Sequence, residues 1–76
     1  MGAPKRVRIS DQWYNVTKPF STWELYAGAD YPKYTMKEPY MHMNDFYWIY
    51  NSSGTQVGEI HTANRTYSGC VQAFES

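Results

Sequence analysis

Alternating polar and apolar residues open the chain. Arg6–Ile9 alternates strictly, and Trp13–Thr17 consists mainly of aromatic and β-branched residues, which is typical of β-strands. Between them, Ser10–Gln12 offers the small and polar side chains that favour a tight turn. These segments predict an antiparallel hairpin.

The strongest strand pattern lies at 45–62. The aromatic run Phe46–Tyr50 leads into Ser-Ser-Gly and an alternating segment, and Gly54 can adopt the positive φ of a hairpin turn. A strand with two bulky faces is either covered on both sides or exposes one adhesive face, and we expect the second in so small a domain. One face carries Phe46, Trp48 and Tyr50, and the other carries Tyr47 and Ile49.

The turn of this hairpin allows two registers. A loop at 52–54 sets Trp48 opposite Gly58, whereas a shorter turn at 53–54 sets Trp48 opposite Glu59. We favour the first register, because a ring laid over a glycine on the neighbouring strand is a recurrent β device. A slip of a single residue turns every side chain to the opposite face.

The other segments predict a short helix, an irregular stretch and a last strand. Residues 21–28 carry a capping-box start and a glycine stop. Residues 29–44 contain two prolines and no clear period, and residues 67–74 resume a strand pattern. The predicted fold is a single mainly β domain over 1–76, with about five antiparallel strands in a curved sheet or open barrel and one short helix.

The composition bears on the function of the chain more than on its fold. The chain has 14 aromatic residues against eight valines, isoleucines and leucines. A core of this size needs fewer rings, so we expect several of them to lie on the surface as contact residues. One cysteine excludes an internal disulfide, and no apolar run suits an export signal or a membrane span. We therefore expect a cytoplasmic protein without a membrane partner.

Candidate chemistry is sparse. Cys70 could pair with His42 or His61 as nucleophile and base, but a small apolar role in the core is the favoured interpretation. The run 41–43 (Met-His-Met) offers ligands that suit reduced copper, yet two methionines on one side of an extended segment more often fill an apolar gap. The five glycines form no phosphate loop. These patterns predict no enzyme, no cofactor and no metal.

Charge weighs against a nucleic-acid partner without excluding one. Seven basic and seven acidic side chains give zero net charge, which disfavours a partner held by long-range attraction to phosphate. A local basic strip beside stacking rings would still suit single-stranded nucleic acid on a small β-barrel, and this is the alternative hypothesis. The strip would contain Lys5, Arg6, Arg8, Lys33, Lys37 and Arg65.

The favoured hypothesis is a non-enzymatic module that binds another protein. Tyrosine and tryptophan bury much area with few rotatable bonds, and a small domain without a readable active site is typical of the inhibitors or modulators that viruses and mobile elements direct at host machinery. A homodimer and, at lower rank, a carbohydrate-binding platform are further alternatives. The candidate contact residues are Trp13, Trp23, Tyr31, Tyr34, Tyr40, Tyr47 and Tyr50.

Three of these tyrosines lie in the irregular stretch. Prolines next to Tyr31 and Tyr40 would hold the segment semi-rigidly and lower the entropy cost of docking. The competing interpretation is that these rings, with Tyr34, fold back over the sheet as its cover.

Overall fold

The computed structural model describes residues 2–39 and 45–76. Within these residues the chain forms eight strands and no helix. The strands are β1 (Arg6–Ile9), β2 (Gln12–Thr17), β3 (Trp23–Tyr26), β4 (Tyr34–Lys37), β5 (Phe46–Asn51), β6 (Gln56–His61), β7 (Thr66–Gly69) and β8 (Val71–Glu75). They form one antiparallel sheet in the order β7-β6-β5-β4-β3-β2-β1-β8. The predicted mainly β fold is confirmed.

The two ends of this sheet lie side by side. β7 continues into β8 at Cys70, whose backbone N–H donates to the carbonyl oxygen of Val57 at 2.8 Å. At the other end of the order β8 pairs with β1, and the Lys5 N–H donates to the Glu75 carbonyl oxygen at 2.7 Å. The sheet therefore curls into a nearly closed barrel with an inner and an outer face.

The core fills the inside of this barrel. It consists mainly of aliphatic side chains, one or two from most strands, and only two of the described rings are buried in it. The remaining described rings are half-buried or exposed. Three of the half-buried rings, Trp23, Tyr34 and Phe74, pack against the border of the core. The buried hydrophobic residues are Val7, Ile9, Tyr14, Leu25, Met36, Tyr47, Ile49, Ile60 and Val71.

The first hairpin forms as its sequence predicts. β1 and β2 pair with Val7 opposite Tyr14, and Gln12 already belongs to the second strand. Ser10 and Asp11 form the turn with φ values of 52° and 61°. Positive φ at both central residues matches the right-handed twist of the flanking strands.

Residues 21–28 form no helix, contrary to their capping pattern. Trp23–Tyr26 is strand β3, and Leu25 is fully buried opposite Tyr34 of β4. A helix of about two turns is marginal without tertiary packing, whereas the strand places the chain's only leucine in the core. Gly28 has a positive φ of 79°, but in the loop that follows β3.

Two further segments differ from their predictions, so the sheet has eight strands instead of about five. The stretch 29–44 contains β4 at Tyr34–Lys37, while residues 40–44 lie outside the described residues. The tail 67–74 is not a single strand, because the chain turns at Gly69 from β7 into β8.

The turn between β5 and β6 is the favoured loop at 52–54. The Asn51 N–H donates to the Thr55 carbonyl oxygen at 2.9 Å across this loop. The Asn51 side-chain oxygen also accepts from the backbone N–H groups of Ser53 and Thr55, each at 3.0 Å. The asparagine therefore fixes the loop from within, as is common for this residue in turns.

A β-bulge then shifts the pairing. Val57 has no partner across the ladder, so Trp48 faces Glu59 and not Gly58. The favoured register is wrong here for a reason of burial: without the bulge, Ile60 would turn to solvent and Glu59 to the core. The bulge keeps Ile60 fully buried and sets a carboxylate beside an indole on the outer face.

Gly58 and Gly69 face each other where β6 meets β7. Gly69 has a φ of 71°, and a methyl group added to it would overlap the Val57 carbonyl oxygen and lie 2.7 Å from the Gly58 Cα. The two strands thus approach more closely than any side chain at position 69 would permit. This contact positions the turn into β8.

Candidate functional site

Three aromatic side chains project from one central strand to the outside of the barrel. Phe46, Trp48 and Tyr50 alternate along β5 with the buried Tyr47 and Ile49. All three rings are half-buried, because neighbouring side chains cover only part of each. We call the outer surface formed by Phe46, Trp48, Tyr50 and the adjacent His61 of β6 the aromatic face.

The rings of the aromatic face hold one another in place. Phe46 stacks on His61, with ring centroids 4.1 Å apart and planes 26° from parallel. Phe46 and Trp48 meet edge to face, with centroids 6.2 Å apart and an interplanar angle of 87°. Such pairs are favourable beyond the area that they bury. Three of the four side chains of the aromatic face are therefore in mutual contact without a partner.

Charges of both signs border the aromatic face. Lys37 of β4 and Glu59 of β6 lie opposite Trp48 on its two sides. The Lys37 ammonium leans over the Tyr50 ring, 5.4 Å from its centroid. The Glu59 Oε2 atom is 2.9 Å from His61 Nε2. The face thus combines apolar rings with one cation and one anion.

Among the predicted contact residues, Tyr50 and Trp13 lie on the outer face. Trp13 belongs to β2, two strands away from β4 in the sheet, and the Arg6 guanidinium covers its ring at 4.4 Å. Tyr31 is 63% exposed in the loop before β4. Tyr40 lies outside the described residues. The described members of the predicted contact set therefore do not gather into one patch.

Three predicted contacts belong to the interior or its border. Trp23 packs edge to face on Tyr47 at 5.2 Å between centroids, and Tyr34 packs in the same way on Tyr14 at 5.3 Å. Tyr34 belongs to strand β4 itself and packs toward the core. Tyr47 is only 1% exposed, so its proposed role as an exposed anchor is corrected: the alternation of β5 turns it inward.

Alkaline pH is expected to destabilise the fold through Tyr47. Burial raises the pKa of its hydroxyl from 10.0 to about 12, and the carboxylates of Glu38 and Asp45 add to this shift. The folded state thus holds the proton more tightly than the unfolded state, so this contribution to stability is complete below about pH 10 and is lost as the pH rises toward 12. Tyr47→Phe should therefore lose less stability than the parent chain over this range.

Urea unfolding at a series of pH values measures this effect. Tyr67→Phe serves as the control, because the Tyr67 ring is 45% exposed. The same loss of stability at high pH in the parent chain and in Tyr47→Phe would contradict the assignment.

The predicted basic strip is divided among separate parts of the sheet. Arg6 forms two hydrogen bonds to the Glu75 carboxylate, at 2.6 and 3.0 Å, and lowers the pKa of that carboxyl group. Arg8 pairs with Asp11 at 3.2 Å. Lys5 directly precedes β1, which carries Arg6 and Arg8. In the sheet, β2 and β3 lie between β1 and β4. The other members of the strip are Lys33 and Lys37 near or in β4 and Arg65 before β7.

Two predicted contact residues border a shallow cleft at one end of the barrel. Tyr31, Pro32 and Tyr34 form one side of it, and Asn51 and Ser52 form the other. The cleft has a volume of about 340 Å³ and also contains Lys33. It is small beside the outer surface and mixes polar with apolar groups.

The described residues give no support to a cysteine nucleophile or a metal centre. Burial raises the pKa of the Cys70 thiol, which is opposite to the shift that activates a nucleophile. Among residues 2–39 and 45–76, no three His, Cys, Asp or Glu side chains lie close enough to hold a metal ion. His42, Met41 and Met43 fall outside those ranges. The same ranges contain no helix that is long and apolar enough to span a membrane.

Two rings of the aromatic face, Phe46 and Trp48, are missing from the predicted contacts. The sequence carries part of the signal, because alternation places them on the same strand face as Tyr50, but only the structure shows that the opposite face is the buried one. Their neighbours Glu59 and His61 can be identified only from the pairing of β5 with β6, which includes the bulge.

Comparisons with known proteins do not change this picture. Protein-family models, curated proteins and solved structures give no match to the chain. The functional proposal therefore depends on the geometry of its own side chains.

Proposed function

We propose that this chain is a non-enzymatic protein-binding module whose contact surface is the aromatic face. The observation that carries the proposal is the outward row of Phe46, Trp48 and Tyr50 on one central strand, half-buried and bordered by charges of both signs. Aromatic residues are enriched at the centres of protein interfaces and contribute most of the binding energy there. A partner that covers these rings would complete their burial.

The charge pattern supports a protein partner over a nucleic acid. A phosphate backbone is held by several cations along one groove, whereas the aromatic face has Lys37 on one side and Glu59 on the other. Arg6 and Arg8 are engaged by acidic partners elsewhere on the barrel. Protein interfaces accept both signs of charge at the rim, where they select the partner and its orientation.

The contacts among the rings favour tight docking, which suits the proposed inhibitory or modulating role. The stacked and perpendicular rings around Phe46 keep their places without a partner, so little side-chain entropy is lost on docking. A small module of this kind acts by occupying a surface that the partner needs for another contact.

Trp48→Ala is expected to abolish capture of the partner. Removal of a central tryptophan from an interface costs about 2 kcal/mol or more, which weakens binding about 30-fold. The experiment is an affinity purification of the tagged chain from a lysate of the organism that encodes it, in nuclease-treated and untreated halves and in high salt. Retained proteins are identified by mass spectrometry.

Trp13→Ala is the matched control. Trp13 is also half-buried on the outer face of the barrel, but it lies on β2, away from β5. We expect this variant to retain the partner, and both variants to keep thermal midpoints within a few degrees of each other. Equal retention by the two variants, or a captured species that disappears with nuclease, would count against the proposal.

A further inference from the structure

Two of the three tryptophans already have a cation over the ring. The Arg6 guanidinium is 4.4 Å from the centroid of Trp13, and the Lys18 ammonium is 4.2 Å from that of Trp23. All seven lysines and arginines lie in the described ranges, and none of them covers Trp48. Tryptophan attracts cations more strongly than the other aromatic side chains do, and the half-buried Trp48 has no lysine or arginine of the chain over its ring.

The nearest cation in the sheet is directed elsewhere. Lys37 lies opposite Trp48 in the β4–β5 register, but its ammonium leans over Tyr50. On the other side of Trp48, the Glu59 side chain is 33% exposed. His61 engages Glu59 Oε2, and the other carboxylate oxygen can accept a further donor. Trp48 and Glu59 together therefore form a surface that favours positive charge.

The chain contains a complete example of the same combination. Arg6 lies over Trp13 and donates to both oxygens of Glu75. There Arg6 belongs to β1, which lies between the strands of Trp13 (β2) and Glu75 (β8). Trp48 and Glu59 are direct neighbours across β5 and β6, so an incoming side chain would lie above the pair.

We infer that Trp48 and Glu59 bind an arginine side chain of the protein partner, with the guanidinium stacked on the indole and donating to the carboxylate. This inference rests on the proposed function, since it names the group that the partner places on the aromatic face. Arginine suits the site better than lysine, because its planar fork can stack and donate hydrogen bonds at the same time.

The test is an NMR titration of the ¹⁵N-labelled chain with the tripeptide Ac-Gly-Arg-Gly-NH₂. Ac-Gly-Cit-Gly-NH₂ is the matched control, since citrulline keeps the shape of arginine without its charge. The indole N–H signal of Trp48 is assigned by its loss in Trp48→Phe. We expect this signal to shift saturably with the arginine peptide only, while the signals of Trp13 and Trp23, whose rings already have cations, stay in place.

Glu59→Gln should weaken the arginine peptide about fivefold, as expected for the loss of a partly exposed ion pair. Equal shifts with the citrulline peptide, equal shifts of all three indole signals, or an unchanged affinity in Glu59→Gln would overturn the inference. The citrulline comparison uses the parent chain, so it tests the need for a positive charge even if Glu59→Gln folds poorly.

The two proposals can fail separately. A partner that is captured through Trp48 but held equally well by Glu59→Gln would overturn the arginine inference and leave the proposed function standing. Selective binding of the arginine peptide by a chain that captures no protein would support the cation site and count against the proposed function.

Discussion

Gly69→Ala is expected to lower the free energy of unfolding by about 3 kcal/mol, because it combines backbone strain with a collision. The residue has a φ of 71°, where an L side chain is disfavoured. The new methyl group would also overlap the Val57 carbonyl oxygen and approach the Gly58 Cα to 2.7 Å. Both obstacles are backbone atoms of β6, so relief requires the strands to separate.

Gly54→Ala separates the backbone strain from the collision. Gly54 has a similar φ of 81°, but nothing lies within 4 Å of an added methyl group. This variant should therefore lose only the strain energy, about 1 kcal/mol. Urea unfolding of both variants and the parent chain provides the comparison. If both variants lost the same free energy of unfolding, the close approach of β6 and β7 at position 69 would be contradicted.

Leu25→Ala is expected to cost about 2–4 kcal/mol of stability, in the range found for a leucine removed from a packed core. Leu25 is fully buried and lies between Val16 of β2 and Tyr34 of β4. The surrounding strands are paired on both sides and cannot collapse freely into the cavity. The loss should appear as a lower urea midpoint with an unchanged m-value.

Two further variants complete this test. Phe20→Ala, at a ring that is 91% exposed, should change stability by less than about 0.5 kcal/mol. Leu25→Val keeps most of the buried volume and is favourable in a strand, so its cost should stay below that of Leu25→Ala. If valine proved the more damaging substitution, position 25 would not lie in a strand.

Local chemistry explains which elements could be predicted from the sequence. The β1–β2 hairpin depends on neighbouring residues, since Ser10 and Asp11 supply a turn between two strand patterns. Strand β3 depends on distant ones, because Leu25 gains its burial from residues of β2 and β4. Its local capping pattern therefore predicts a helix that tertiary packing overrides. The turn at Gly69 likewise requires contact with β6, which no local pattern reveals.

The candidate site shows the same division. Alternation along β5 is local, and it correctly groups Phe46, Trp48 and Tyr50 on one face and Tyr47 and Ile49 on the other. It does not decide which of the two faces is buried, so the prediction of Tyr47 as an exposed contact is wrong. Which of the other rings remain outside depends on packing between strands. The neighbours of Trp48 depend on the bulge, whose cause is the burial of Ile60 across the barrel.

Because of the bulge at Val57, the number of residues in this hairpin decides which side chains lie beside the β5 rings. With a regular ladder, Trp48 and Phe46 would lie against Gly58 and Ile60, and the outer surface would lose Glu59 while Lys37 stayed beside Trp48. The extra residue brings Glu59 and a histidine to them instead, without any change to the rings themselves. A change in the length of this hairpin that the bulge does not absorb would exchange Glu59 and Ile60 between the two faces. The recognition surface and the core of the barrel are therefore set by the same residue count and cannot vary independently at this point.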